Sequence, residues 1–257
     1  MIAVEGVVKR FGAHTVLGGV SLTVAPGEVV TILGSSGSGK STLIRCINGL
    51  ETLDGGRVTV DGLDVADPRQ LAQARRLSAT VFQLFNLYPH MTVLRNITLA
   101  PELVLRRPKN EVEAQARALL ASVGLAGKAD SYPGQLSGGQ RQRVGICRAL
   151  AMNPRYLLLD EVTSALDPEM TAEVLAILAR LATQGTTMLF VTHEVEFARR
   201  ISTRIVFLDQ GRLIVDLPTD QFFAADGGLA HPRIRQFLSK MAPSSTVAGA
   251  PVSEILA

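Results

Sequence analysis

Three glycines, four hydroxyls and one lysine are set in the spacing of a phosphate cradle in Gly34-Ser35-Ser36-Gly37-Ser38-Gly39-Lys40-Ser41. The stretch follows the β-branched apolar run Val29–Leu33 and opens a segment of helical character, Thr42–Ile47. Glycines let the backbone turn tightly and aim its N–H groups inward, and a helix N-terminus adds positive potential. Lys40 can then reach the outer phosphates, and the Ser41 hydroxyl can hold a magnesium ion. Residues Gly34 to Thr42 are therefore expected to bind a nucleoside triphosphate.

The second half of the chain supplies carboxylates. Tyr156–Leu159 is a short apolar run that reads as a buried parallel strand, and it ends in Asp160-Glu161. At the carboxyl end of a sheet, one acid can hold the metal and its neighbour can orient an attacking water. Asp160 is expected in the first role and Glu161 in the second. Upstream, Leu136-Ser137-Gly138-Gly139-Gln140 places a Ser-Gly-Gly turn at the start of a helix. Taken alone, this is an ordinary capped helix; beside a phosphate loop, its free N–H groups and the Ser137 hydroxyl can instead face outward as a second anion site.

With these elements together, the chain resembles the ATP-binding subunit of an ABC transporter, in which the Ser137–Gln140 stretch is the signature motif. The resemblance continues through Val81-Phe82-Gln83 (the Q-loop), Ser164-Ala165-Leu166-Asp167 (the D-loop) and Val191-Thr192-His193 (the switch histidine). It implies two ATP molecules sandwiched in a head-to-tail dimer, with Ser137, Gly138, Gly139 and Gln140 reaching the γ-phosphate held by the partner copy. It also implies that Gln83 touches magnesium and the lytic water, that Asp167 works across the dimer, and that His193 holds the γ-phosphate. Lys40, Gln83, Glu161 and His193 form the implied catalytic set. Ser41, Gln83 and Asp160 form the implied Mg2+ set. Phe11 takes the place of the adenine-stacking tyrosine usual in the family, which keeps the ring face and loses the hydroxyl. Val162 replaces the proline that commonly follows the two acids, which restores a backbone donor and loosens φ.

Several stretches, among them Val81–Leu94, Thr98–Pro101 and Ser164–Glu169, are similar to the subgroup serving polar amino-acid uptake. That resemblance implies an importer with integral-membrane permease subunits and an extracytoplasmic solute-binding protein. The solute would be bound by those other chains. An ATPase of a cell-division or lipoprotein-release complex is the alternative.

These residues need a scaffold to position them. The implied fold is α/β: a P-loop NTPase core with a mixed, mainly parallel sheet, antiparallel N-terminal strands and an inserted α-helical subdomain. Residues 1–83 and 152–241 are assigned to the core, 84–151 to the helical signature subdomain, and 242–257 to a poorly ordered tail. Val112, Ala116, Leu119, Leu120 and Val123 share one helical face, with Gly124 as its stop. Asp167-Pro168 reads as an N-cap with proline at the first helical position, and that helix turns Val174, Ile177, Leu178 and Leu181 inward. Ile205–Leu208 and Arg212–Val215 are expected to form a hairpin about Asp209-Gln210-Gly211.

Composition agrees. With 26 basic and 23 acidic side chains the net charge is only +3, and Trp is absent. Scattered arginines such as Arg75, Arg76, Arg106, Arg107 and those after the signature read as solvated faces, so nucleic acid is not the expected partner. No apolar run reaches the roughly 18–20 residues that cross a bilayer. Any membrane role must then come through a partner, and the family resemblance implies a peripheral position on the cytoplasmic face of the membrane. Cys46 and Cys147 read as small buried hydrophobes in a reducing compartment.

Overall fold

The computed structural model describes residues 1–241, so the expected tail from 242 lies outside the described residues. Strands β1 (Ile2–Phe11) and β2 (His14–Val24) form a hairpin, and β3 (Val29–Leu33) leads through the glycine loop into α1 (Lys40–Ile47). Next come β4 (Gly55–Val60), β5 (Leu63–Asp64), α2 (Pro68–Leu77) and β6 (Ser78–Val81). Three helices follow, α3 (Val93–Val104), α4 (Lys109–Ser122) and α5 (Gly138–Leu150). The chain then alternates through β7 (Tyr156–Asp160), α6 (Pro168–Thr183), β8 (Thr187–Val191), α7 (Val195–Ile201) and β9 (Arg204–Asp209). β10 (Arg212–Pro218), α8 (Thr219–Phe222) and α9 (Pro232–Met241) complete it.

The strands make two sheets. One has four strands in the order β2-β1-β4-β5, all antiparallel, and the other six in the order β10-β9-β3-β8-β7-β6. In the larger sheet β9, β3, β8, β7 and β6 run parallel, with β10 antiparallel at one edge. Every residue of β3, β7 and β8 is buried, because a parallel sheet covered on both faces needs continuous apolar runs. Side chains alternate between the faces. Leu157 and Leu159 join Val144, Ile146, Val174 and Phe190 in a core under α5 and α6. Tyr156 and Leu158 join Val20, Val30, Leu43 and Ile44 in a second core between α1 and the smaller sheet. The antiparallel strands therefore pack across from the phosphate-loop strand in their own sheet, and the cysteines lie apart and buried, Cys46 in the second core and Cys147 in the first.

Register fixes the site. Ile32 and Asp160 both pair with Val191, so β3, β7 and β8 end side by side. The glycine loop, Asp160-Glu161 and Thr192-His193 thus leave the same carboxyl edge of the sheet, where open α/β sheets bind ligands.

The helices follow their patterns. Val112, Ala116, Leu120 and Val123 are buried, Leu119 packs partly against them, and Gly124 turns at φ +73°. The Asp167 carboxylate caps α6 by accepting from the Met170 N–H at 2.8 Å, and Val174, Ile177, Leu178 and Leu181 face inward. Some arginines correct the expectation of solvated faces. Arg75 donates to the carbonyls of Asn48 and Gly49, and Arg148 to those of Phe85 and Asn86. A guanidinium carries five donors, which suits it to clamping loop carbonyls that secondary structure leaves free.

Candidate active site

Two glycines decide the course of the phosphate loop. A Cβ on Gly34 would lie 2.1 Å from the Leu208 carbonyl oxygen, and one on Gly39 would lie 2.8 Å from Leu17 Cδ2 with φ at +102°. The loop can therefore press against β9 and β2 only with hydrogen in place of a side chain. Gly39 is also the N-cap of α1 and offers no side-chain cap, so the first-turn N–H groups remain available to an anion.

Lys40 is almost fully buried, and its ammonium donates to the Gly34 and Ser35 carbonyls at 2.8 and 3.0 Å. Glu161 Oε1 stands 4.0 Å away. Burial pulls the Lys40 pKa below its ordinary value, while Glu161 and Asp160 act in the opposite sense. The Ser41 hydroxyl donates to Asp160 Oδ1 at 2.7 Å. Burial raises the Asp160 pKa, opposed by the Ser41 hydrogen bond. Glu161 lies at φ +47°, a left-handed position costly for a residue with a Cβ, and its Oε1 meets His193 Nε2 at 3.0 Å. Among the described residues, His193 Nδ1 is buried without a partner. Val162 is buried in the core beside them.

Beside Lys40, Ser41 and Glu161 lies a cavity of about 440 Å³, lined by Ser36 to Thr42, Glu161, His14 and Val16, while Asp160 and His193 stand behind its wall. Sequence reasoning missed His14 and Val16. The signal is the hairpin register, which pairs His14 with Phe11 and carries β2 past the loop.

A family model described as ABC transporter matches residues 17–164. The chain belongs to the ABC transporter family. It is 51% identical over 242 residues to the glutamine transport ATP-binding protein GlnQ of Geobacillus stearothermophilus, covering 94% of this chain and 99% of that protein. It is 50% identical over 246 residues to the L-cystine transport system ATP-binding protein TcyN of Escherichia coli, covering 93% and 97%. Among solved structures, the dimeric structure of MJ0796, a bacterial ABC transporter cassette, superposes with a TM-score of 0.77 at 35% identity, over 85% of this chain and 99% of that one. A post-hydrolysis dimer of the MJ0796 cassette bound to ADP and Pi gives 0.75 at 33% identity, with the same coverage. The expected P-loop core, with its mainly parallel sheet and antiparallel N-terminal strands, is thus the fold of this family member.

Not every expected site residue of this ABC family chain lines the cavity. Phe11 is exposed on the hairpin, with the Lys9 ammonium 4.9 Å from its ring centroid. Gln83 is exposed just beyond β6. The Ser137 hydroxyl accepts from the Gln140 N–H at 3.3 Å, and the Gly139 N–H points at Met170 Sδ at 3.1 Å. Those two signature groups are engaged within the chain rather than free. Asp167 is occupied as a helix cap.

The donor set suits a hard cation that keeps water and phosphate ligands. Among the described residues no cluster of three His, Cys, Asp or Glu side chains could hold a metal by itself. The Ser41–Asp160 pair offers two hard oxygens beside the phosphate loop, in keeping with magnesium's habit of taking few protein ligands beside phosphates.

Proposed function

We propose that this chain is the ATP-hydrolysing subunit of an importer for polar amino acids or related zwitterionic solutes. The observation that carries the reading is the convergence of Lys40, Asp160, Glu161 and His193 on the phosphate loop. Relatives about half identical along nearly the whole chain, which serve glutamine and L-cystine transport, support the choice of solute class.

The loop amides and Lys40 hold the β- and γ-phosphates. Ser41, Asp160 and Gln83 would hold Mg2+, which would supply positive charge to offset that of the phosphates. Glu161 orients and deprotonates the attacking water, and His193 fixes Glu161 through Nε2 and reaches toward the γ-phosphate. Catalysis is then mostly positioning and electrostatics. Phe11 stacks on the adenine.

Two copies close head to tail, so that Ser137, Gly138, Gly139 and Gln140 of each reach the nucleotide of the other, and Asp167 lies in the contact. For that, Gly139 must release Met170. Among the described residues no helix is long and apolar enough to cross a membrane. The chain attaches peripherally to the cytoplasmic face through integral-membrane permease subunits, gripped near Gln83 where Leu84 and Tyr88 are exposed. Residues 84–151 form the inserted helical subdomain of the core made by 1–83 and 152–241. The extracytoplasmic solute-binding protein acts only through the permease, and nucleic acid takes no part.

The test is a pull-down of tagged Glu161→Gln protein with Mg·ATP from detergent-solubilised native membranes, with identification by intact mass. A small multi-spanning permease is the expected companion. Recovery of division-machinery proteins alone would retain the ATPase and overturn uptake.

A further inference from the structure

Helix α5 begins in the signature motif and carries a stripe at Gly138, Arg141, Gly145 and Arg148, spaced three, four and three residues apart on one face. All four meet a single residue of the segment that follows the Q-loop. A Cβ on Gly138 would lie 3.8 Å from Phe85 Cζ, and one on Gly145 would lie 3.7 Å from the Phe85 carbonyl oxygen. The Arg141 guanidinium sits 5.1 Å from the Phe85 ring centroid. Arg148 donates to the Phe85 carbonyl at 3.2 Å and to the Asn86 carbonyl at 2.7 Å, and stands 5.9 Å from the Tyr88 ring centroid.

This arrangement is costly unless it does something. Arg148 is half-buried, and burial lowers its pKa against an opposing contribution from Tyr88. A desolvated guanidinium without a carboxylate partner is tolerated only when its donors are well used. Here two of them are spent on carbonyls in an irregular segment, where Asn86 sits at φ +51°. Gln142, fully buried on the same helix, adds a longer bond to the Phe82 carbonyl at 3.4 Å. The segment held in this way also presents Leu84 and Tyr88, 69% and 45% exposed, to the surroundings.

We propose that Phe85 and Arg148 form a latch that makes the segment from Gln83 to Tyr88 and the signature end of α5 one rigid unit. Both are positioning residues. What happens at Gly138 is carried through α5 and Phe85 to the exposed surface at Leu84 and Tyr88, and the reverse. The cross-dimer half of this inference rests on the function proposed above, whereas the latch itself rests on the contacts within one chain.

The experiment is hydrogen–deuterium exchange on the full chain, comparing the parent with Arg148→Gln, Arg148→Lys and Phe85→Leu. Without nucleotide, Arg148→Gln should exchange the amides of residues 84–90 about tenfold faster, as expected for losing charge-assisted hydrogen bonds. Exchange in α4 should stay unchanged. Lysine keeps the charge but cannot fork between two carbonyls, so it should behave like glutamine. In the Glu161→Gln background, Mg·ATP should protect both 136–142 and 84–90, while adding Arg148→Gln should leave only 136–142 protected. Unchanged exchange at 84–90 without nucleotide would overturn the latch, as would a uniform rise across α4 and α5. Protection of 84–90 by ATP in the Arg148→Gln protein would overturn the coupling. Failure of Glu161→Gln alone to dimerise with Mg·ATP would count against the proposed function, and the nucleotide-free comparison would still decide the latch. Phe85→Leu removes the ring and keeps the backbone, so it decides the matter if the arginine variants do not fold.

Discussion

The Ser41 hydroxyl and Asp160 Oδ1 are joined by a 2.7 Å hydrogen bond that ties the first turn of α1 to the end of β7. The same two oxygens are those assigned to Mg2+, so the bond pre-positions both. Ser41→Ala and Asp160→Asn should each weaken Mg-dependent ATP binding about 10–100-fold, the range seen when groups supporting a metal site are removed. Titrations of a fluorescent ATP analogue with Mg2+ and with EDTA would check this. Equal losses under both conditions would remove the pair from the metal site.

Glu161 and His193 touch at 3.0 Å and are expected to act as a unit. Glu161→Gln should lower turnover about 10²–10⁴-fold while ATP affinity is kept. His193→Ala should fall in the same range, and the double variant should be little worse than the poorer single one. Phosphate-release kinetics over a range of ATP concentrations separate kcat from KM. Near-normal turnover by Glu161→Gln would end the assignment of Glu161 as base.

Both cysteines are fully buried, and burial raises their thiol pKa values to about 11 for Cys46 and about 12 for Cys147. Since the thiolate is the nucleophile, neither should react with iodoacetamide between about pH 7 and 9 until the fold opens. The linkage has a definite sign. An unfolded thiol ionises near pH 9, so stability is fully present below that value and declines as pH rises toward about 11–12. Mass spectrometry after timed labelling gives the count, and rapid labelling of folded protein at pH 8 would contradict the burial.

Legibility in the sequence followed burial. β3, β7 and β8 are buried along their whole length and end in residues with a distinctive chemistry, so the strands and the residues at their carboxyl ends could be read directly. Helix α2 was not legible, because Ala74 is its one fully buried residue and Leu71 and Leu77 are only partly covered. His14 escaped for a different reason. It reaches the cavity through the pairing of β1 with β2, a long-range register that residue types near the phosphate loop do not encode. The packed arginines of α5 were misread because a charge run on a helix looks the same whether it faces water or loop carbonyls. Only the contact with Phe85 and Asn86 separates the two.

Gly34 and Gly37 allow strain and crowding in the phosphate loop to be separated. Gly37 takes φ +77° with nothing within 4 Å of its Cβ position, so Gly37→Ala should cost only the left-handed penalty, about 1–2 kcal/mol. Gly34→Ala would drive a methyl group to 2.1 Å from the Leu208 carbonyl oxygen and 2.9 Å from Ser38 Oγ. That clash must push the loop off β9, adding an overpacking cost of about 1–3 kcal/mol. It would also displace the Gly34 carbonyl that holds Lys40, so ATP affinity should fall along with stability. Urea unfolding and ATP binding on the two variants provide the comparison. A Gly34→Ala cost no larger than that of Gly37→Ala would mean that the loop yields freely there and that its contact with β9 does not set the cradle.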